Sequence, residues 1–414
     1  MKHSLIGSRP LSTLSQAFLY ISPAVFLFIL PFSGTVALRL STLVVAAITA
    51  IVVSRNSAAL PIPLKLPLSI WTLVALVSLF WALEFDYSVG EIKNEIGYIL
   101  IAFLTFYILT RSSLQWRIWS IALLVGILGL SASATYYLAQ GIAPYTTGKV
   151  SNIGSISTHL ILISPLLFMA IEKSLFKPAC LLAMSGLSIL GVANGYLSMN
   201  RAFWIALPVA AIVYVGLRSF RRTDGIQALK LTVIASLAML IFGGLLLFAV
   251  IDSRFSTGIS VDAAFKVIAQ DPRFEVWRFA VRHIWSHPIV GSGFGNWSSH
   301  AVLAAQNFKD PQIWHAHNML LNYGMQLGVP GMLAVLYLLV SISREFLILY
   351  RCPDDTCSML GAAGFALLAG VLCKSMTDLL IGRNNSLLFW ALTGMILGYG
   401  RCLMANRTVK PNID

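Results

Sequence analysis

The sequence predicts an all-α polytopic membrane protein with about twelve transmembrane helices and one long periplasmic loop that contains amphipathic helices. Two observations predict this class. Of the 414 residues, 57% are hydrophobic and only 11% are charged, which leaves too little polar surface for a water-soluble globule. Apolar runs of about 18 or more residues also recur along the chain, and they must be helical because lipid offers the backbone no hydrogen-bond partner.

The predicted spans cover, in chain order, residues 14–32, 35–54, 66–84, 95–110, 117–139, 152–171, 178–197, 202–219, 228–251, 328–349, 358–379 and 386–404. Most connections between them are short, which predicts antiparallel neighbours in an up-down bundle. The first run follows Lys2 and Arg9 and has no small-residue cleavage signature after it, so we expect a retained first helix.

The formal net charge of +13 comes from basic residues that are scattered over short loops, so we do not expect nucleic acid as a partner. If the N-terminus is cytoplasmic, most Lys and Arg residues fall on cytoplasmic segments, as the positive-inside bias requires. We therefore expect both termini in the cytoplasm. All five cysteines then map to inner loops, inner helix ends or spans, and we expect no disulfide outside.

One connection is much longer than the others, and it divides the single integral membrane domain into three parts. Residues 1–251 hold the first nine spans, and residues 328–414 hold the last three and a cytoplasmic tail. Between them, residues 252–327 are mixed in polarity and fall on the periplasmic side when spans are counted from an inside N-terminus. A loop of this length is usually functional.

Within this loop, residues 272–287 have a helical period. The predicted apolar stripe consists of Trp277, Val281 and Ile284, and Arg278 and Arg282 share another face. Three glycines, Gly291, Gly293 and Gly295, then indicate a tight turn that lacks the spacing of a dinucleotide-binding loop. Residues 315–327 begin a second helix, which we expect Gly328 and Pro330 to interrupt.

Five of the seven histidines fall in this interval: His283, His287, His300, His315 and His317. His317 is the candidate general base, because an imidazole with a pKa of about 6.5 accepts a proton near neutral pH. His315 and Asn318 are candidate supporting residues beside it. The alternative for His317 is an interfacial histidine that hydrates or caps a helix end.

Two arginines are candidates for binding an anion. Arg201 lies at the outer mouth of a span and Arg273 lies in the long loop, on the same predicted side. The guanidinium fork suits a phosphate, and an arginine at this depth is costly unless it faces an anion. The alternative is that each snorkels to lipid headgroups. Arg278 and Arg282 fit a solvated or headgroup-facing stripe better, although either could supplement an anion site.

Acidic residues give weaker signals. Asp378 stands four residues after Lys374, and an ion pair within one helix accounts for both. Glu84, Asp86 and Glu91 are expected in an outer loop. The sequence has no spacing typical of a divalent-metal site, so we expect a metal-free mechanism without a cofactor.

Together these residues resemble the O-antigen ligase family of membrane glycosyltransferases. The family pattern of His-Asn, nine residues, Gly, two residues and Gly is met by His317-Asn318, Gly328 and Gly331. The upstream family pattern is an Arg, three residues, an aromatic residue, and then a Pro and a glycine-rich turn. It is met by Arg273, Trp277, Pro288 and the turn at Gly291, Gly293 and Gly295, called here the glycine turn. Arg201 matches the family's other functional arginine, although Asn200 and Ala202 depart from the Ser-Arg-Gly of many relatives. These motifs cover about residues 195 to 335.

The resemblance implies transfer of a glycan from undecaprenyl diphosphate to the lipid A–core oligosaccharide, at the periplasmic face of the bacterial inner membrane. It implies His317 as the base and Arg201 and Arg273 on the diphosphate. A single displacement would invert the anomeric configuration. Both substrates carry lipid tails, so we expect them to enter sideways from the membrane.

Two other functions remain open on the sequence. An O-antigen polymerase uses the same donor and differs in its acceptor, and only the His-Asn-to-glycine spacing favours the ligase. A twelve-span transporter of lipid-linked sugars would have the same helix count. Such proteins usually place charged residues or broken helices at mid-membrane, whereas the polar cluster here is predicted to lie outside.

Overall fold

The structure is a computed structural model that describes residues 13–55, 61–175, 177–222, 227, 230, 244, 271–306, 308, 315–376 and 383–408. Every regular element in these ranges is helical, which confirms the predicted all-α class. In chain order the helices are α1 (Thr13–Ile29), α2 (Val36–Arg55), α3 (Lys65–Val77), α4 (Phe85–Glu91), α5 (Tyr98–Leu109), α6 (Ser113–Ala139), α7 (Ile153–Ser174), α8 (Pro178–Leu197), α9 (Phe203–Arg222), α10 (Arg273–Ser286), α11 (Asn296–Ala304), α12 (Met319–Tyr350), α13 (Asp355–Ser375) and α14 (Arg383–Thr408).

In the described part of the chain, nine helical stretches are long and apolar enough to cross a membrane, and α1 and α3 are apolar but shorter. Eleven of the twelve predicted spans coincide with helices. The predicted span 228–251 lies almost wholly outside the described residues, as does the first part of the long loop, so the count of twelve stays a prediction.

Two predicted boundaries are wrong. Asp86 and Glu91, predicted in an outer loop, lie in α4, which continues through a π-helical turn, Ile92–Gly97, into α5. Residues 85–109 therefore form one helical stretch, whose start the hydropathy pattern misses because charged side chains interrupt it. Similarly, the span predicted to begin at residue 328 is the continuation of a helix that begins at Met319.

Small residues allow the helices to pack closely, as is usual in membranes. The backbone of α14 lies against that of α5, where a Cβ atom at Gly394 or Gly398 would overlap the carbonyl oxygens of Phe103 and Tyr107. Helix α13 packs on α7, α9 and α12. These contacts place the start of α12 and the turn between α8 and α9 at one end of the bundle, called here the site end.

Ion pairs gather at the opposite end. The Arg218 guanidinium on α9 lies 2.7 Å from Glu172 on α7 and 2.6 Å from Asp355 at the start of α13. Arg222 also contacts both carboxylates, at 2.6 and 3.3 Å. This cluster joins three helices, and it lies at the end to which the sequence assigns most basic residues.

Candidate active site

Helix α10 carries the candidate Arg273 at its amino end and packs against α12. Its buried side chains are Val276, Ala280 and Ile284. The helix is confirmed, but the predicted stripe is only partly right, because Val281 is 53% exposed. A helical period establishes that an apolar face exists, whereas tertiary contacts decide its rotation.

The two predicted anion-binding arginines meet at one carboxylate, that of Asp271. Arg201 Nη2 lies 3.5 Å from Asp271 Oδ2, and Arg273 Nε lies 3.9 Å from Oδ1. The side chains of Arg201, Arg273 and Asp271 are 25%, 33% and 16% exposed, so the cluster is partly open to a ligand. Two guanidinium groups from distant segments thus form one positively charged site, called here the arginine pair.

Local backbone structure fixes both arginines. Asp271 Oδ1 also accepts a hydrogen bond from the backbone N–H of Arg273, at 3.0 Å, and so holds the first turn of α10. Arg201 lies in the turn after α8, where Met199 adopts a φ of +53°. In this turn the Asn200 side chain accepts a hydrogen bond from the Ala202 N–H at 3.0 Å, which gives Asn200 a structural role.

The candidate base His317 lies in a short non-helical segment, residues 315–318, called here the histidine loop. His317 has a left-handed φ of +48°. Its backbone N–H donates a hydrogen bond to His315 Nδ1 at 3.0 Å, and the two rings lie 4.0 Å apart between centroids. His315 therefore holds the backbone of His317 in its turn.

The histidine loop is attached to α10 and to α12. Trp277 on α10 donates a hydrogen bond from Nε1 to the carbonyl oxygen of Ala316, at 2.9 Å. The buried Asn322 on α12 accepts a hydrogen bond from the Ala316 N–H at 3.4 Å. Because Ala316 lies between the two histidines, these bonds position the loop relative to the helix that begins at Arg273.

Asn318 is the N-cap of α12. Its side-chain oxygen accepts a hydrogen bond from the Leu321 N–H at 3.1 Å, which satisfies a backbone donor of the first helical turn. Its amide nitrogen donates to the Met376 carbonyl at 3.4 Å, at the end of α13. The His-Asn part of the motif thus places the candidate base His317 directly before the residue that begins the helix.

The second half of the motif produces a break in α12. Gly328 has a φ of +68° and a ψ of −166°. Pro330 has no N–H, so the carbonyl of Gln326 loses its usual partner one turn later. The glycine turn supplies the missing donor: Gly293 N–H bonds to Gln326 O at 3.0 Å. In return, Val329 N–H donates to Pro288 O at 2.7 Å.

This exchange is consistent with the tight turn predicted from the three glycines. Gly295 N–H donates to Gln326 Oε1 at 2.9 Å, so the backbone donors of Gly293 and Gly295 are used within the protein and do not form a phosphate-binding loop. Side chains have no room here, because a Cβ at Gly291 would overlap the Gln326 backbone. The turn packs the long loop against the broken helix.

Arg278 and Arg282 lie on the exposed face of α10, as predicted. Neither contributes to the arginine pair around Asp271. Together with Phe274, Trp277 and Val281 they line a concave region of about 690 Å³. Among the described residues, no carboxylate pairs with either guanidinium.

The structure therefore brings Arg201 to Arg273, and links Arg273 through Trp277 to the histidine loop. Asp378, which the sequence pairs with Lys374, lies outside the described ranges. The sequence analysis did not identify Asp271 or Asn322. Asp271 could have been found as an Asp-Pro pair at a helix start, a typical N-terminal signal.

Within the described ranges, no three or more His, Cys, Asp or Glu side chains come together in a way that could hold a metal ion.

Residues 186–336 match the model of a protein family described as O-antigen ligase. This interval contains Arg201, α10, the glycine turn, the histidine loop and the break in α12. The match confirms the resemblance to this family that the motifs indicate. A comparison with curated proteins finds no match.

Proposed function

Because residues 186–336 form an O-antigen ligase family domain, we propose that this membrane protein is an O-antigen ligase. It transfers a glycan from undecaprenyl diphosphate to the lipid A–core oligosaccharide. The arginine pair holds the donor diphosphate, and His317 is the general base. The observation that carries the proposal is the meeting of Arg201 and Arg273, 72 residues apart, at one carboxylate at the start of the helix that Trp277 joins to the histidine loop.

The role of the arginine pair follows from the charge that develops on the donor during the reaction. As the bond between the anomeric carbon and the diphosphate oxygen breaks, the electron pair goes to the diphosphate, and negative charge grows there. Two guanidinium groups placed in advance stabilise this charge without reorganising during the reaction. Asp271 keeps the two cations close together until an anion with more oxygens binds them.

The acceptor side requires removal of one proton. An acceptor hydroxyl oxygen attacks the anomeric carbon, and its proton passes to the His317 imidazole. The bond from Trp277 to Ala316 and the contact with His315 hold His317 in place relative to the arginine pair. A single displacement of this kind converts an α-linked donor to a β-linked product and consumes neither a metal ion nor a nucleotide.

Arg278 and Arg282 fit the acceptor better than the donor. They lie on the same helix as Arg273 but face outward over the concave region that Trp277 also lines. Lipid A carries phosphate groups, and two guanidinium groups without a carboxylate partner in the described structure suit such groups. We assign this face to the phosphorylated part of the acceptor.

The proposed location is the bacterial inner membrane, with the site end in the periplasm and both termini in the cytoplasm. The apolar helices support a multi-pass protein. Arg218 and Arg222 at the opposite end support this orientation, because Lys and Arg residues are enriched on the cytoplasmic side, whereas Asp and Glu contribute little to this bias.

The test uses purified protein in lipid nanodiscs with a lipid-linked glycan donor and lipid A–core, and with no energy source. We expect transfer by the wild type and none by His317→Gln, while His287→Gln, on the exposed end of α10, stays active. Arg273→Lys should be strongly impaired, because a point charge does not replace a bidentate fork. Normal transfer by His317→Gln would overturn the assignment of the base.

The same assay separates the alternative functions. A polymerase would elongate a second carrier-linked glycan and leave lipid A–core unmodified when both acceptors are offered separately. A transporter would move the donor across a vesicle membrane without forming a new glycosidic bond. Either result would contradict the ligase proposal.

A further inference from the structure

A large apolar cavity lies between α7, α8 and α9, outside the site described above. Its volume is about 670 Å³, and almost all of its lining is hydrocarbon. Representative lining residues are Leu160, Leu167, Val192, Leu207, Ala211 and Val215. A cavity of this composition does not hold ordered water, because it offers few polar partners.

The cavity follows one face of α9 across the bundle. The α9 residues that line it recur at three- or four-residue steps along the helix: Phe203, Leu207, Ala211, Val215, Ser219 and Arg222. From Phe203 to Arg222 the helix rises about 28 Å, close to the hydrocarbon thickness of a bilayer. The cavity is therefore a groove with the depth of a membrane, called here the α9 groove.

The α9 groove begins directly below the arginine pair. Phe203, which lines its upper end, is two residues after Arg201. Gly195 on α8 permits this arrangement, because a Cβ there would overlap the Phe203 ring. Lower down, Gly191 contributes only backbone to the wall, and a Cβ there would meet nothing within 4 Å.

The far end of the α9 groove, opposite the arginine pair, disfavours the anionic headgroup of a lipid from the opposite leaflet. Arg218 and Glu172, which line that end, are already paired with each other at 2.7 Å, and Arg222 contacts the same Glu172. A phosphate at that end would have to displace a buried carboxylate from both arginines. An occupant whose anionic group lies at the site end, with only hydrocarbon reaching downward, meets no such cost.

We infer that the α9 groove binds the polyprenyl tail of the donor while its diphosphate lies on Arg201 and Arg273. This inference rests on the proposed function. It explains why a diphosphate site stands at the top of a membrane-deep apolar groove, and it makes tail length a determinant of donor affinity.

The test fills the groove at Gly191 and uses Gly186, on the outer side of the same helix, as the matched control. Neither glycine has an atom within 4 Å of its Cβ position, so a side chain can begin at either position without a clash at Cβ. We expect Gly191→Phe to raise the KM for the 55-carbon donor about tenfold with little change in kcat, since it displaces about two methylene groups. The KM for a donor with a 15-carbon tail should change much less, and Gly186→Phe should behave as the wild type with both donors.

Equal behaviour of Gly191→Phe and Gly186→Phe toward the long donor would overturn the inference. If no variant transferred glycan, only the proposed function would be contradicted. A binding measurement would then still test whether the α9 groove holds the donor tail. Undecaprenyl diphosphate that carries a photoreactive group on its tail should crosslink to α7 and α9 at groove residues such as Leu167 and Ala211. Crosslinks confined to other surfaces, or loss of these crosslinks in excess phosphatidylglycerol, would overturn the groove assignment.

Discussion

Trp277 donates a hydrogen bond from its indole nitrogen to the carbonyl oxygen of Ala316, at 2.9 Å, and joins the helix that begins at Arg273 to the loop that contains His315 and His317. This bond connects the two halves of the proposed site, because one partner belongs to the anion-binding helix and the other lies between two imidazoles. The distance between the guanidinium group of Arg273 and the imidazole of His317 therefore depends on this hydrogen bond.

Replacement of Trp277 by phenylalanine removes this hydrogen bond and keeps an aromatic ring. We expect kcat/KM for transfer to fall by about two- to tenfold, the usual net value of one hydrogen bond. Trp285→Phe is the matched control, since Trp285 lies on the same helix and is 86% exposed. Equal activity of the two variants would show that the bond does not position the loop.

Asp271 should matter for donor binding. Without its carboxylate the guanidinium groups of Arg201 and Arg273 repel each other, and the first turn of α10 loses its acceptor. We expect Asp271→Ala to raise the donor KM about tenfold. Asp271→Asn should raise it less, because an amide oxygen still accepts the Arg273 N–H. Glu275→Gln, two residues into α10, is the control, and a lower donor KM in Asp271→Ala would mean that the carboxylate blocks the site.

The sequence predicted elements well where the signal is local. The length of the apolar runs predicted eleven spans that match helices. The 3.6-residue period of residues 272–287 predicted both ends of α10 to within one residue. Candidate residues such as Arg201, Arg273 and His317 came from motif spacing, because each chemical role needs a particular side chain. The separate starts of α4 and α12 were missed, since charged or polar residues at a helix end lower hydropathy without ending the helix.

Contacts between residues that are distant in the sequence could not be predicted. Nothing local indicates that Asp271 lies between two arginines, or that the Gly293 N–H replaces the donor that Pro330 lacks. Such contacts depend on how segments distant in sequence come together. The glycine turn illustrates this: its composition permits a phosphate-binding loop, whereas its surroundings make it a partner of the broken helix.

Acid should destabilise the packing of α10 through His283. Burial lowers the pKa of this imidazole, and the neighbouring His287 lowers it further. The folded state thus binds a proton less readily than the unfolded state, so stability is complete above the unfolded pKa of about 6.5 and falls as pH drops below it. We expect His283→Gln to reduce the change of the unfolding free energy with pH between about pH 7 and 5. If the variant showed the same pH dependence as the wild type, His283 would not be its source.

Gly328 should tolerate no side chain. Its φ is +68°, and a Cβ would lie 2.8 Å from the carbonyl oxygens of Pro288 and Ile289. We expect Gly328→Ala to lower the free energy of unfolding by about 1–3 kcal/mol, as strained backbone positions do. Gly90→Ala is the control, because Gly90 is helical and has open space, and it should be neutral or stabilising. Thermal unfolding in detergent distinguishes the two, and equal melting temperatures would contradict the argument.

Arg218 should hold the bundle together at the end opposite the site. Its side chain is 5% exposed and Glu172 is 11% exposed, so Arg218→Met leaves a largely buried carboxylate with Arg222 and the Tyr214 hydroxyl as its remaining partners. Removing one partner of a buried pair costs about 3–5 kcal/mol, and the remaining contacts place the expected loss of stability at the lower end of that range. Arg222→Met, whose side chain is 48% exposed, should cost less. Thermal unfolding measures the loss of stability in both variants. If Arg218→Met unfolded like the wild type, the network would not be what joins α7, α9 and α13 at this end.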